Sequence, residues 1–329
     1  MPIGGAAMKA TSAAAGSEPR RILVLRGGAI GDFILTLPVL AALRRHFPLA
    51  RLTVVGQPSV TPLALAGGLA DAAISLESRG LAGSFAPGAE LSAEFRELFR
   101  QSDLIVSYLH DPDQVFQRNV TRGSSVRFLA GPHRPDDAAG VHATEALLKP
   151  LRKLGITDAD TVPRLRWPGG TGPHPGGSAP RWLAVHPGSG SERKNWPETQ
   201  WATLLERLAA ETELGLLLVG GEAEGGRVER LAQSWPAARC RTAMSRPLLE
   251  LAALLRECCA FAGHDSGITH LAAAVGLPLL VLWGGTAETV WRPRGERIRL
   301  LRGRRGLASL IVSEVRRVLN DLLASNENA

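Results

Sequence analysis

Residues 21–38 read RILVLRGGAIGDFILTLP, and this stretch decides the fold. Its apolar run, 22–25, is too short for most helices and suits a buried strand. Gly27, Gly28 and Gly31 form a glycine-rich turn, and a helical pattern then runs to Phe47. Asp32 stands where that helix begins. Strand, glycine turn and helix N-terminus together point backbone N–H groups at a ligand. A carboxylate placed there either caps the helix or works on a substrate, and the stretch alone leaves both open. The glycine spacing is G-G-x-x-G, not the G-x-G-x-x-G of a dinucleotide fingerprint. No acid clearly ends the second strand, which runs into Gly56-Gln57-Pro58. Both departures weaken a nicotinamide-dependent oxidoreductase.

Working outward, the alternation continues. Short apolar strands are expected at 51–56, 72–76 and 103–107, with a weaker one at 126–129. A loop is expected at 80–88. Helices are expected at 91–100 and 142–154, the latter closed by Gly155 as a C-cap. Strands alternating with helices argue for a parallel sheet covered on both faces. The chain then reads WPGGTGPHPGGSAP over 167–180, a composition that suits a linker. Beyond it, strands at 182–186, 214–219, 259–262 and 279–283 alternate with helices at 198–210, 224–234, 248–256, 267–275 and 310–323. Pro197 is placed in the first turn of its helix. The expected organisation is a tail at 1–20, a first α/β lobe at 21–166, a linker at 167–180, a second lobe at 181–309, and a helix with a tail at 310–329. A ligand belongs in the cleft between the lobes, at the carboxyl ends of the strands.

The 329 residues are enough for two ordinary domains, and 45% hydrophobic residues is normal for a soluble globular chain. One tyrosine, Tyr108, and few other aromatics argue against a stacking surface for single-stranded nucleic acid. Three cysteines, Cys240, Cys258 and Cys259, give neither a disulfide framework nor a metal spacing, which fits a reducing cytosol. No apolar run approaches the ~20 residues of a membrane span. The Ala/Gly/Ser-rich first twenty residues lack a continuous apolar core and read as a disordered tail, not a signal peptide. The formal charge of +7 favours anionic partners. Arginine is dense at 292–305, which reads either as a solvated basic rim or as a landing surface for an anionic acceptor or membrane.

Each conspicuous polar cluster follows an expected strand. The loop HPGSGSERKNWP at 186–197 lets the backbone approach an anion, with Ser189 and Ser191 offering hydroxyls and Lys194 a point charge. Its spacing is not that of a P-loop, and its plain reading is a polar surface loop. Gly220, Gly221 and Glu222, with Glu224 nearby, either cap a helix or accept hydrogen bonds from ribose hydroxyls. In AGHDSGITHLAAAVGLP at 262–278, Asp265, Ser266 and Gly267 lie between a strand and an Ala-rich helix whose N-terminal N–H groups suit a diphosphate. His270 is either packed or a direct ligand. Asp111-Pro112-Asp113 has the D-x-D form that some sugar-nucleotide enzymes use for a divalent metal, but that pattern is common by chance.

Taken in order, these clusters resemble glycosyltransferase family 9, the ADP-heptose:lipopolysaccharide heptosyltransferases. The matching stretches are RGGAIGDFILTLPVLAALRRHFP, HATEALLKPLRKLGI, HPGSGSERKNWP with TQWATLLERL, LLLVGGEAEGGRVERLA, and AGHDSGITHLAAAVGLPLLVLWGGT. The resemblance implies an α/β GT-B fold: two Rossmann-like, doubly wound lobes with an interlobe cleft, acceptor on the first lobe and nucleotide on the second. It implies that Asp32 is the catalytic carboxylate on an acceptor-side loop with Gly27, Gly28 and Gly31. It implies that Lys194 contacts the donor phosphates beside Ser189 and Gly190, that Glu222 lies near the donor ribose, and that Met244 lines the adenine pocket. Asp265, Ser266, Gly267 and His270 fit the family's D-[ST]-G-x-x-H signature around the donor sugar and diphosphate. The chain departs from the family at GRRGLASL, where many members carry a cysteine, and over 111–137, which has no secure counterpart.

The implied reaction is inverting transfer of a heptose-type sugar from ADP-heptose to a lipopolysaccharide-core acceptor, with no metal and no other cofactor. Asp32 takes the hydroxyl proton, while Lys194 and the N–H groups near Ser266 and Gly267 meet the charge on the leaving diphosphate. The expected partners are a nucleotide sugar and an anionic glycolipid, with peripheral contact at the inner face of the cytoplasmic membrane and no nucleic acid. The alternatives are another GT-B enzyme using a UDP- or GDP-linked sugar, and a non-catalytic nucleotide-sugar-binding protein. Lobe closure is expected to hinge at 167–180 and at a crossing near the final helix.

Overall fold

The computed structural model of the chain describes residues 18–167 and 181–324. Residues 1–17 of the expected tail and the linker from 168 onward therefore lie outside the described residues. Two parallel sheets make up the protein. The first holds β1 (Arg21–Arg26), β2 (Arg51–Gly56), β3 (Ala72–Ser75), β4 (Leu104–Ser107) and β5 (Arg127–Ala130), in the order β3-β2-β1-β4-β5. The second holds β6 (Trp182–His186), β7 (Gly215–Gly220), β8 (Cys240–Met244), β9 (Cys258–His264), β10 (Leu279–Trp283) and β11 (Ile298–Arg302), in the order β11-β10-β9-β6-β7-β8. In each sheet the strand order reverses once, between β1 and β4 and between β6 and β9. At such a switch point neighbouring loops diverge and leave a crevice beyond the strand ends.

Helices cover both faces. In the first lobe they are α1 (Ile30–Ile34), α2 (Leu37–His46), α3 (Thr61–Ala66), α4 (Arg79–Ala82), α5 (Ala93–Arg100), α6 (Val115–Thr121) and α7 (Ala143–Leu148). In the second they are α8 (Glu198–Glu211), α9 (Gly225–Ala232), α10 (Leu248–Arg256), α11 (Gly267–Ala274), α12 (Glu288–Trp291) and α13 (Val312–Ala324). Strand residues such as Val24, Leu25, Val106, Leu183 and Leu280 are buried on both sides, as expected of a parallel sheet. One hydrophobic cluster runs through both lobes, joining Ile22, Leu40 and Leu63 to Leu251, Leu271 and Val281. Burial of this kind, worth roughly 25 cal/mol per Å², holds α1 and α3 of one lobe on α11 and α10 of the other.

The structure corrects the reading in places. The helix expected to run from the glycine turn to Phe47 is two helices, broken at Leu35 and Thr36. Pro38 is the cause: it has no N–H to return to Ile34 and its ring crowds that carbonyl. The loop expected at 80–88 contains α4 and a 3-10 turn at Gly83–Phe85. The helix expected at 142–154 turns 3-10 from Lys149, where Pro150 breaks the ladder, and ends on Gly155 at φ 80°. Pro197 is the N-cap of α8, not its first residue. The final helix packs on α8, β9 and β10 of its own lobe. Helices α3, α6 and α12 and strands β8 and β11 had not been foreseen.

Candidate active site

A cavity of about 620 Å³ opens where the two switch points face each other. Its first-lobe wall comes from loops after β1, β4 and β5: Gly27, Gly28, Ala29, Asp32, Tyr108, His110, His133 and Arg134 line it. Its second-lobe wall comes from loops after β6, β9 and β10, with Ser189, Lys194, Asp265, Ser266, Gly267, His270 and Thr286, and from Trp291 of α12.

On the first wall, the β1 strand delivers Arg26 inward and the turn then reverses through Gly28 at φ 98°. A Cβ at Gly28 would lie 2.5 Å from Asp32 Oδ2, so this glycine is required by backbone and by contact alike. Asp32 Oδ2 accepts from the Ala29 N–H at 2.8 Å, closing the first turn of α1. Asp32 Oδ1 accepts from Arg26 Nη2 at 3.1 Å. Arg26 is 2% exposed and also donates to the Asp32 carbonyl at 3.2 Å and to the His133 carbonyl at 2.7 Å. Burial pulls the Arg26 guanidinium below its ordinary value, while Asp32 and Tyr108 act in the opposite sense. The Asp32 side chain keeps 27% of its surface open to the cavity. It is thus both a helix cap and a cleft-facing carboxylate.

On the second wall, Lys194 Nζ reaches Asp265 Oδ2 at 3.0 Å, and Thr286 Oγ1 donates to the same oxygen. Ser266 is the N-cap of α11 and accepts from the Thr269 N–H. His270 is buried; burial holds its imidazole below the ordinary value, with Asp265 and then Asp32 drawing it upward. The loop that carries Lys194 is tied down by His264. Its Nε2 accepts from the Trp196 N–H at 2.8 Å, so its proton is on Nδ1 and is donated to the Gly188 carbonyl at 3.2 Å. Burial pushes His264 down to about 3, which keeps that tautomer neutral. Glu224 accepts from the Gly221 N–H at 3.0 Å and lies where a Cβ of Gly188 would be.

The fold therefore brings together Gly27, Gly28, Gly31, Asp32, Ser189, Lys194, Asp265, Ser266, Gly267 and His270 in one cavity. Gly190, Glu222 and Met244 are not among its lining residues. Gly190 turns the loop at φ 73° with no atom within 4 Å of a Cβ there. Glu222 is exposed after β7 and Met244 is half-buried at the end of β8. The D-x-D pair has another use: Asp111 accepts from the Phe116 and Gln117 N–H groups at 3.0 and 2.9 Å and caps α6. Among the described residues no group of three or more His, Cys, Asp or Glu is arranged to hold a metal ion. His110, His133, Arg134, Thr286 and Trp291 were missed as site residues. His110 and His133 bring their Nδ1 atoms to 3.4 Å, and Arg134 stacks over Trp291 at 5.6 Å. The signal for the two histidines was present: each follows a strand, as the four recognised clusters do.

Residues 113–311 match glycosyltransferase family 9 (heptosyltransferase). The chain belongs to this family. It is a glycosyltransferase with the GT-B fold, and its family transfers heptose in lipopolysaccharide synthesis. It is 23% identical over 292 residues to lipopolysaccharide heptosyltransferase 3 of Escherichia coli, covering 80% of this chain and 83% of that one. Among solved structures it is similar to E. coli ADP-heptose lipopolysaccharide heptosyltransferase II, with a TM-score of 0.72, 20% identity, and coverage of 93% and 99%. It is also similar to E. coli heptosyltransferase WaaC with ADP, with a TM-score of 0.71, 18% identity, and coverage of 92% and 99%.

Proposed function

We propose that this glycosyltransferase moves a heptose from ADP-heptose to an anionic lipopolysaccharide-core acceptor, with inversion and without a metal. The observation that carries the reading is that Asp32 and Lys194 enter one cavity from opposite lobes. An acceptor hydroxyl beside Asp32 would give up its proton as its oxygen attacks the anomeric carbon. Attack from the first-lobe side expels the diphosphate toward the second lobe, which inverts the centre. There Lys194 and the N–H groups at the start of α11 meet the growing negative charge, the task a divalent cation performs in other transferases. Asp265 holds Lys194 in place until the diphosphate arrives. The nucleoside would extend along the sheet toward the ends of β7 and β8, where Glu222 and Met244 stand and Ser189 and Gly190 border the path.

On the acceptor side, His110, His133 and Arg134 are exposed polar side chains of the first-lobe wall. Arg134 favours an acceptor that carries negative charge near the attacked hydroxyl, and the two imidazoles offer it hydrogen bonds. Replacing His110 by Ala is expected to raise the acceptor KM several-fold and to leave the ADP Kd unchanged, as steady-state kinetics and calorimetry would read.

No helix among the described residues is long and apolar enough to cross a membrane. We place the enzyme in the cytoplasm, peripheral to the membrane. Arg299, Arg304 and Arg305 lie exposed along the edge strand β11 and the loop after it, suited to an anionic bilayer. The test of the whole reading is a binding panel of ADP, UDP and GDP, followed by mass detection of transfer from ADP-heptose to lipid A–Kdo acceptors in the presence and absence of EDTA. Preference for UDP or GDP would overturn the donor, and loss of transfer in EDTA the metal-free scheme. Donor binding without transfer would leave a binding protein.

A further inference from the structure

The two lobes pack backbone against backbone at a pair of glycines that flank the candidate site. Helix α1 follows β1, helix α11 follows β9, and they cross at Gly31 and Gly267. A Cβ built at Gly267 would lie 2.8 Å from Ile30 Cβ, 3.0 Å from the Gly31 backbone nitrogen and 3.2 Å from Ile30 Cγ2. These are atoms on or next to the backbone of the other lobe, so no flexible side-chain end can swing aside. The reverse is not true. A Cβ at Gly31 would find His270 Cδ2 at 3.5 Å and Gly267 Cα at 3.6 Å, which are ordinary contacts. Neither glycine has a positive φ, so backbone freedom does not explain glycine at 267. The same helix is tied to the first lobe at its other end, where the Leu165 N–H donates to the Ala274 carbonyl at 2.8 Å.

We propose that Gly267 is a positioning residue: its missing side chain lets the lobes approach closely enough to set the gap between Asp32 and the donor-binding wall. Asp32 follows Gly31 directly and Asp265 lies two residues before Gly267, so there is little slack between this contact and either wall. Adding one methyl would push α1 and α11 apart by about 1 Å, from 2.8 Å toward the ~3.5–4.0 Å of relaxed carbon contacts. A misplacement of that size costs on the order of 10²-fold in rate.

The inference rests on the transfer reading, and its test separates the two. In Gly267→Ala the N–H that faces a diphosphate is retained. Hydrogen exchange without substrate should be faster at residues 30–35 and at Leu165 than in the unsubstituted protein, whereas Gly31→Ala should leave exchange there unchanged. Calorimetry should give Gly267→Ala an ADP Kd within about two-fold of the unsubstituted protein, while kcat for transfer falls on the order of 10²-fold. Pairing Gly267→Ala with Ile30→Gly removes two of the three clashes, so the combined loss in kcat should be smaller than the product of the single losses. If glycine is there only to let the ligand approach, ADP binding weakens, exchange in α1 stays unchanged and the proposal fails. It also fails if the paired losses multiply. If the unsubstituted protein transfers no sugar, the heptosyl-transfer reading falls and the exchange measurements alone decide the contact.

Discussion

Asp32 is open between two roles in the sequence, and the geometry leaves one carboxylate room for both: it caps α1 and faces the cavity. Each of its oxygens accepts one fixed hydrogen bond, from the Ala29 N–H and from Arg26. A carboxylate oxygen has two lone-pair sites, so each retains capacity to accept a proton from the cavity. Asp32→Asn preserves the shape and the capping oxygen but loses the basic charge and turns its amide NH2 against the Arg26 donor. It is expected to leave ADP affinity intact by calorimetry and to lower turnover by at least ~10²-fold; undiminished turnover would sink the assignment of the base. Lys194 has a different part. Its ammonium is held by Asp265, with 38% of the side chain exposed, and we propose that it exchanges that partner for a phosphate. Lys194→Ala removes a charge-assisted bond of ~1.5–3 kcal/mol, so the ADP Kd should rise roughly 10–100-fold. An unchanged Kd would mean that the diphosphate is held elsewhere.

At the scale of elements, the site depends on loops held from beneath. The loop after β6 is irregular, yet both of its ends are fixed by the one imidazole of His264. That ring packs edge-on against Trp201, which meets Trp196 in the same way. Gly188 completes the arrangement because the Glu224 side chain occupies the space of its Cβ. Gly188→Ala should therefore displace the loop, cost ~1–3 kcal/mol as overpacking and weaken ADP binding. Gly190→Ala meets no atom and carries only the left-handed backbone penalty of ~1–2 kcal/mol. Thermal melts with ADP calorimetry on both variants check this; equal effects on ADP would mean the Glu224 contact does not shape the loop. The sequence marked both glycines as part of one phosphate loop but could not separate them. The reason is physical: one answers to a neighbour 36 residues away and the other to its own backbone angle. Likewise the break at Leu35 was legible in Pro38, whereas β8 and β11, edge strands with exposed charges at Arg241, Arg299 and Arg302, lack the apolar runs that announced the inner strands.

At the scale of the whole molecule, four buried histidines, His142, His186, His264 and His270, couple the fold to pH. His142 accepts from the Thr144 N–H at Nδ1, so its Nε2–H donates to the Arg292 carbonyl of the other lobe at 2.9 Å. Burial pushes His142 and His186 down to about 4 and His264 to about 3, from an ordinary 6.5. The folded values lie below the unfolded one, so between these values the unfolded chain binds more protons. The stabilising contribution is fully present above about pH 6.5 and is lost as pH falls toward 4. Each histidine adds a slope of up to ~1.36 kcal/mol per pH unit. Denaturant unfolding should show stability falling from pH 7 to pH 5, with a shallower slope in His142→Gln; a flat profile would refute the linkage.

The sequence by itself determined the two α/β lobes, the loops at the carboxyl ends of the inner strands and most of the residues in the cleft. Strand burial, glycine turns and caps are local consequences of residue type and spacing, and they are legible in one dimension. Only the tertiary structure decided that Arg26 holds Asp32, that His110 and His133 share the first-lobe wall of the cavity, that Trp291 stacks under Arg134 across the cleft, and that Gly267 lies against Ile30 and Gly31 of the other lobe. Apart from the Arg26–Asp32 pair, six residues apart, those facts depend on groups tens to hundreds of residues apart meeting at close range. That proximity is set by how two sheets and their helices pack, and no local pattern in the chain encodes it.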